Sequence, residues 1–226
     1  MNQKIVFNFA SRSRPVNFFI GLESIINNIS DRDNYHIVCA FDLDDISMNN
    51  PKVRSKLDAY EKLSYYFGVS KSKIDAINRE IDNLPDWDIL VNFSDDQEFI
   101  KYGFDDIIRK GFDDYFPNGD GFLHFHDFYQ NRLSVMSVID KKHFDRTGYI
   151  YHPDFLSVYS DNFSQDFAIR HNCYKYMGDD VKIFEHKHPL RNKKYNWDSQ
   201  YLEQNDTSLY QIDRVTYLRL KKEFNL

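Results

Sequence analysis

Two adjacent carboxylates, Asp95 and Asp96, directly follow an apolar run that is typical of a buried strand. Neighbouring carboxylates in such a place repel each other unless a cation joins them, and hard oxygen ligands suit Mg²⁺ or Mn²⁺. His186 and His188 follow another apolar run, and two residues apart in an extended chain their imidazoles point to the same side. The four side chains are therefore candidates for a divalent metal site. Helix-capping acids and a surface histidine pair are the alternative interpretation.

A second histidine pair, His124 and His126, has the same spacing and precedes Asp127. Its geometry makes it a competing metal-binding candidate. We assign it instead to the lining of a cleft for an acceptor molecule.

Further polar side chains that could bind a nucleotide follow the other apolar runs. Arginines after the first run could form charge-assisted hydrogen bonds to a diphosphate, and acids after the second could accept hydrogen bonds from a base or ribose. A lysine and an asparagine near a later helix start could add contacts, although a spacing of five does not place them on one helix face. Taken singly, each is also consistent with a solvated loop or helix residue. The candidates are Arg12, Arg14, Asp42, Asp44, Asp45, Lys73 and Asn78.

Short apolar runs alternate with stretches of helical spacing through the first hundred residues. The runs predict strands that begin at Ile5, Tyr35 and Trp87, and the spacing predicts helices over 16–30, 53–67 and 72–81. Mostly apolar strands that alternate with helices predict an α/β fold, with a largely parallel sheet covered on both faces. Ligands of such sheets bind beyond the carboxyl ends of the strands, where the polar candidates collect.

Beyond residue 100 the pattern is less regular. It predicts strands and helices but no repeat, linker or low-complexity segment, so we expect a single domain over 1–226 with a C-terminal helical tail. The expected strands are 121–127, 133–139 and 181–184, and the expected helices are 104–112, one starting near Ser164, and 215–224.

Composition limits the class of protein. The chain has 226 residues and a formal net charge of −6, which argues against a general nucleic-acid coat. From residue 182 onward the chain has nine Lys or Arg and six Asp or Glu. The resulting net charge of +3 only slightly favours a phosphate-bearing acceptor. Cys39 and Cys173 are too few for a disulfide framework. No run approaches the roughly 18 apolar residues of a membrane helix or resembles a signal peptide, so we expect a soluble cytoplasmic protein.

The order of these segments, rather than any single one, resembles the GT-A fold of nucleotide-sugar glycosyltransferases, particularly the family-2-like group. Ser94-Asp95-Asp96 stands at that family's Asp-x-Asp position in a variant form, because its first residue is not an acid. The resemblance covers nearly the whole chain, and it implies a nucleotide-binding half from residue 1 to about 97 and an acceptor-side half with the C-terminal tail from about residue 98 to 226. The segments that carry it are Ser11-Arg-Ser-Arg-Pro15, 42–45, 72–79, 87–96, 148–153, 160–163 and 184–189.

The resemblance implies a role for each main candidate. Asp96 would bind a Mn²⁺ or Mg²⁺ that bridges the phosphates of a UDP-sugar or another nucleoside-diphosphate sugar, and His186 or His188 would supply a second ligand. Asp95 would contact the ribose or the metal shell. Asp161 matches the acid that accepts the proton of the acceptor hydroxyl, which implies transfer with inversion. A helix-capping role is the alternative for Asp161.

Two other functions remain open at this stage. A metal-dependent nucleotidyltransferase or phosphotransferase would also use paired acids, but no GxxxxGK[ST] or GxGxxG motif follows any predicted strand. A non-catalytic module that binds nucleotide sugars or glycans would keep the fold without turnover. The acceptor could be a glycan, a protein side chain or a modified nucleic-acid base, and the sequence leaves the oligomeric state open.

Overall fold

The computed structural model describes residues 3–190, 192–195 and 197–226 of the chain. A seven-stranded sheet forms its centre. Its spatial order is β3-β2-β1-β4-β7-β6-β8, and β7 runs antiparallel to both of its neighbours while the other pairs are parallel. Strands β5 and β9 form a separate antiparallel pair. The strands are β1 (Ile5–Ala10), β2 (Tyr35–Asp42), β3 (Leu63–Gly68), β4 (Ile89–Phe93), β5 (Gln97–Phe99), β6 (Phe122–His124), β7 (Val138–Asp140), β8 (Tyr174–Tyr176) and β9 (Phe184–His186).

Helices cover both faces of this sheet, so the predicted α/β class with a mostly parallel sheet is confirmed. None of the helices in the described ranges has both the length and the apolar composition to cross a bilayer. The helices are α1 (Pro15–Asn28), α2 (Pro51–Leu57), α3 (Lys73–Asn78), α4 (Phe104–Tyr115), α5 (Lys141–Thr147), α6 (Ser160–Arg170), α7 (Ser199–Gln204) and α8 (Thr207–Glu223), with a short 3₁₀ helix at Ile81–Asn83.

The alternation of side chains along β1 divides the apolar core into two layers. Ile5, Phe7 and Phe9 belong to the layer that includes buried residues of α1 and α4, whereas Val6 belongs to the layer that includes residues of α3, α5 and α6. Successive residues of a strand point to opposite faces, so a strand buried on both sides must be apolar throughout. Asn8 is the polar exception, and its Nδ2 donates hydrogen bonds to the carbonyl oxygen of Ile77 and to Asn92 Oδ1.

The predicted helix over 53–67 is wrong, because the structure divides this segment into α2 and β3. Asn50 caps α2 by accepting a hydrogen bond from the Val53 amide, and the helix ends at Leu57. The aromatic sequence after it pairs in parallel with β2, with Tyr65 opposite Cys39. Aromatic residues favour strands, and pairing with β2 satisfies backbone groups that a continued helix would leave exposed on that strand.

Several other boundaries differ from those predicted. The 121–127 and 133–139 runs contain only the short strands β6 and β7, because irregular backbone occupies the rest of both runs. The strand expected at 181–184 lies at β9, the helix expected near Ser164 begins at Ser160, and the C-terminal helix begins at Thr207 rather than 215.

A buried carboxylate attaches the C-terminal helix α8 to the rest of the chain. Asp213 is 0% exposed and accepts hydrogen bonds from the backbone amides of Leu156, Ser157 and Val158 at 2.9, 2.8 and 2.8 Å. This loop leads directly into α6. The position of α6 therefore depends on a side chain more than fifty residues further along the sequence.

We expect Asp213→Ala to lower the free energy of unfolding by at least about 3 kcal/mol, because three amides would each lose a partner at about 1–3 kcal/mol. Urea unfolding followed by circular dichroism measures the change. Arg214→Ala, at an exposed position on the same helix, is the matched control and should stay within about 0.5 kcal/mol of the wild type. Equal effects of the two substitutions would contradict this role of Asp213.

Candidate active site

A cavity of about 880 Å³ opens at the carboxyl ends of β1, β2 and β4. Strand β1 lies between β2 and β4, so the strand order reverses there, and this is where open α/β sheets bind ligands. The start of α3, the start of α6 and helix α7 add further walls. Most of the predicted site residues line this one cavity, namely Arg12, Arg14, Asp42, Asp44, Lys73, Asp95, Asp96, Asp161, His186 and His188.

Asp96 lies beside an imidazole at the floor of the cavity. The antiparallel pairing of β5 with β9 sets Gln97 opposite His186, which brings the His186 ring next to Asp96. Asp96 Oδ2 is 3.2 Å from His186 Nε2 and accepts a hydrogen bond of 2.6 Å from the Tyr201 hydroxyl. Its other oxygen, Oδ1, is buried and has no hydrogen-bond partner among the described residues. One oxygen of Asp96 thus remains able to accept a further ligand.

A second carboxylate faces the opposite side of the His186 ring. Asp127 Oδ2 lies 3.8 Å from His186 Nδ1, and backbone amides of Tyr129 and Gln130 hold the Asp127 side chain. Burial alone would lower the pKa of His186, but Asp96 and Asp127 together raise it to about 9. Burial alone would likewise raise the pKa of Asp96, but His186 and Tyr201 bring it well below its usual range. Asp96 and His186 therefore form an ion pair at neutral pH.

Asp95 has a different set of partners. Its oxygens accept hydrogen bonds from Ser11 Oγ at 2.7 Å and from Arg14 Nη1 at 2.9 Å. Arg14 also donates two hydrogen bonds to Asp198, at 2.8 and 2.5 Å, and its guanidinium lies 4.2 Å from the centre of the Tyr201 ring. Burial raises the pKa of Asp95 to about 6 even though Arg14 opposes the shift. Arg14 is thus bound to carboxylates in this structure, whereas the sequence suggested a diphosphate.

Arginines also hold the acids that end β2. Arg12 donates to both oxygens of Asp44, at 2.6 and 2.9 Å, and to Asp42 at 2.8 Å. Arg79 reaches Asp42 at 3.3 Å and donates to the carbonyl oxygen of Phe41 at 2.8 Å. This side of the cavity therefore presents paired charges.

Asp161 lies in the first turn of α6, and its side chain is half buried. Burial raises its pKa, and the positive charges of Lys73 and His186 act in the opposite direction. Its Oδ1 accepts a hydrogen bond from the Asn162 amide, whereas Tyr159 is the N-cap residue. Lys73 also lowers the pKa of Asp96, so the charge of one lysine side chain acts on both Asp96 and Asp161.

Some predicted positions lie elsewhere. Asn78 does not line the cavity, and its side chain holds backbone groups of Ile150 and Tyr151 instead. His124 and His126 do not line this cavity either. His124 is buried against the Tyr174 hydroxyl at 2.6 Å, and burial lowers its pKa to about 4.

Sequence reasoning missed four residues that shape the site. Ser11 precedes the arginines, and Asp127 follows the histidine pair, so both lie inside segments that the sequence singled out. Tyr201 and Asp198 carry no local signal, because they reach Asp96 and Arg14 only through the fold.

No family model matches the sequence, and no curated protein matches it. Solved structures do match. Mannosyltransferase PcManGT from Pyrobaculum calidifontis, in complex with GDP-Man and Mn²⁺, superposes with a TM-score of 0.62 at 12% identity over 80% of this chain and 56% of its own. TarS 1–349 from S. aureus, in complex with UDP-GlcNAc, gives 0.67 at 10% identity over 94% of this chain and 65% of its own.

These superpositions establish the fold. The chain has the GT-A fold of nucleotide-sugar glycosyltransferases, as the order of its segments predicted. It spans less than two thirds of the length of either matched chain.

Tyr201→Phe tests the contact between α7 and Asp96. The variant keeps the ring beside Arg14 but removes the hydroxyl that donates to an ionised carboxylate, so we expect a loss of about 1.5–3 kcal/mol in the free energy of unfolding. Tyr65→Phe is the matched control, because its hydroxyl donates to Asp58 at 2.7 Å on the exposed surface. That control should change stability by no more than about 0.5 kcal/mol. Indistinguishable urea midpoints for the two variants would argue against the Tyr201 contact.

Proposed function

We propose that the chain is a metal-dependent glycosyltransferase that moves a sugar from a nucleoside-diphosphate sugar to an acceptor hydroxyl. The observation that carries the proposal is the meeting of the Asp96–His186 pair and Asp161 in one cavity at the switch point of a GT-A sheet. This reaction needs two groups from the protein, one that binds a metal ion and a separate carboxylate that accepts a proton.

The residues around Asp96 fit a divalent cation. Asp96 Oδ1 is buried without a hydrogen-bond partner in the part of the chain that the structure describes, and a carboxylate beside an imidazole is a donor set that Mn²⁺ accepts. Asp96 and His186 would hold the ion, and His188, which lines the same cavity, is a further candidate. His186 would release its Nε2 proton to solvent on binding. The bound ion supplies Lewis-acid stabilisation of the negative charge on the departing diphosphate.

The remaining walls fit the nucleotide part of a donor. A volume of about 880 Å³ is within the usual range of about 300–1,000 Å³ for small-molecule sites. Asp42 and Asp44 offer acceptors for ribose or base hydrogen bonds at the end of β2, and Lys73 offers a positive charge to the diphosphate. GDP-Man in PcManGT and UDP-GlcNAc in TarS support a nucleoside-diphosphate sugar as the donor class.

Asp161 would act as the general base. It takes the proton of the acceptor hydroxyl while that oxygen forms a bond to the anomeric carbon, and the bond from this carbon to the diphosphate breaks with its electron pair leaving on the diphosphate. A direct attack opposite the leaving group inverts the anomeric configuration. The raised pKa of Asp161 makes the carboxylate a stronger base than an exposed aspartate.

A panel of UDP- and GDP-sugars tests the activity, with nucleoside-diphosphate release measured in Mn²⁺ and in EDTA. Mn²⁺-dependent release supports the proposal. Tight Mn²⁺-dependent binding without release, in the presence of a panel of glycan and peptide acceptors, would show a binding module instead. Pyrophosphate release from nucleoside triphosphates would show a nucleotidyltransferase.

Two conservative variants separate metal binding from proton transfer. Asp96→Asn should weaken Mn²⁺-dependent donor binding more than about 100-fold, because loss of even an outer partner of a metal ligand costs about 10–100-fold. Asp161→Asn should leave donor binding intact and lower the transfer rate about 10²–10⁴-fold. Isothermal titration and steady-state rates measure the two effects.

Asp114→Asn, on the exposed face of α4, is the control for loss of one charge and should match the wild type in both assays. Equal loss of donor binding in Asp96→Asn and Asp161→Asn would contradict the division of roles.

The dependence of kcat/KM on pH gives an independent test of Asp161. The base works only when deprotonated, so activity is lost as pH falls through a pKa that burial places above the usual 3.8. At saturating Mn²⁺, so that proton release from His186 does not limit metal binding, we expect the wild type to show this acidic limb and Asp161→Asn to retain only a low rate without it. Asp95, with a pKa near 6, lines the same cavity. An unchanged limb in Asp161→Asn would assign it to Asp95 or another group.

A further inference from the structure

Three potential metal ligands converge outside the cavity described above. His143 Nδ1 lies 3.4 Å from Cys173 Sγ and 3.7 Å from Asp120 Oδ1, and the three ligand atoms all lie within 4.8 Å of one another. None of the three residues lines the cavity. In a tetrahedral zinc site, bonds of about 2.0–2.3 Å place neighbouring ligand atoms about 3.3–3.6 Å apart. The two separations from His143 Nδ1 are therefore close to those of a zinc site.

The carboxylate of Asp120 is oriented for such a role. Arg146 binds its Oδ2, whereas Oδ1 is buried and has no hydrogen-bond partner among the described residues. Carboxylates that bind metals are commonly held in this way by a hydrogen bond to the oxygen that is not coordinated. A simple hydrogen bond between Cys173 and His143 would explain their contact but would leave Asp120 Oδ1 unsatisfied. Cys173 Sγ also lies 3.4 Å from the Ala168 carbonyl oxygen, so Asp120 Oδ1 is the ligand atom that a cation among the three would supply with a partner.

The protonation of the imidazole also suits a metal. Burial lowers the pKa of His143 to about 4, so its ring is neutral at pH 7 and offers a lone pair. Burial raises the pKa of the Cys173 thiol to about 11, so binding must displace its proton, as it does at other thiolate sites. The negative charges of the resulting thiolate and of the Asp120 carboxylate together neutralise a divalent cation. Arg146 therefore lies beside a site that has no net positive charge.

We propose that Asp120, His143 and Cys173 bind one Zn²⁺, with water as the fourth ligand. A thiolate selects zinc over Mg²⁺ or Mn²⁺, so this ion differs from the one proposed for the cavity. Asp120 lies between α4 and β6, His143 in the first turn of α5, and Cys173 between α6 and β8. The ion would therefore join three segments at the edge of the sheet that holds β6 and β8, and it would stabilise the folded state through its binding energy.

Cobalt titration of the full-length protein tests the site, because a cobalt–thiolate bond gives a charge-transfer absorption band that oxygen and nitrogen ligands do not. The wild type should develop the band with one equivalent of Co²⁺ and lose it when Zn²⁺ is added. Cys173→Ser should show no band. Cys39→Ser, which removes the other buried thiol, should keep it, and so should Asp96→Asn, because the cavity is separate.

Asp120→Asn covers the case in which Cys173→Ser does not fold, since it keeps a partner for Arg146 and both other ligands. It should weaken Co²⁺ binding at least about 10-fold. Zn²⁺ should raise the melting temperature of the wild type more than that of Asp120→Asn. The proposal is overturned if the folded wild type shows no thiolate band, if Cys173→Ser retains the band, or if Cys39→Ser loses it. Because none of these measurements uses a nucleotide sugar, the outcome is independent of glycosyltransferase activity.

Discussion

The site depends on how two adjacent carboxylates are accommodated at the end of a buried strand. Asp95 is buried and the Asp96 side chain is only 13% exposed, and each needs a positive partner to remain ionised at low cost. Arg14 supplies that charge for Asp95, and His186 supplies it for Asp96. One partner comes from the loop after β1 and the other from β9. The requirement for charge balance therefore brings together segments that are far apart in the sequence, and the cavity forms between them.

The two acids differ because their partners differ. Both oxygens of Asp95 are occupied, by Ser11 and Arg14, whereas one buried oxygen of Asp96 has no hydrogen-bond partner within residues 3–190, 192–195 and 197–226. The pKa of Asp95 is raised to about 6 and that of Asp96 is lowered well below its usual value. Two chemically identical neighbours thus differ in how many of their oxygens the surrounding side chains occupy. This asymmetry arises from packing, since the sequence Asp-Asp alone does not distinguish the two positions.

The sequence predicts the central architecture and most of the cavity, because apolar periodicity locates β1, β2 and β4 and parallel strands bring their polar ends to one edge. Prediction from the sequence is wrong or incomplete where tertiary contacts determine the local structure. The 53–67 segment carries apolar residues at helical spacing, yet pairing with β2 converts its second half into a strand. The Asn78 side chain could bind a nucleotide but instead donates a hydrogen bond to the backbone of Tyr151. Tyr201 donates to Asp96 although the two residues are 105 positions apart. Neither contact follows from local spacing.

The hydrogen bonds between Arg14 and Asp198 join residues 184 positions apart. Synthesis proceeds from the N-terminus at about 5–20 residues per second, so β1, β2 and β4 leave the ribosome several seconds or more before α7 does. During that interval the nascent chain has both carboxylates without the side chains that later cover them. The wall formed by α7 is thus added after translation of the central strands, and a chain that stalls before Asp198 lacks the carboxylate to which Arg14 donates.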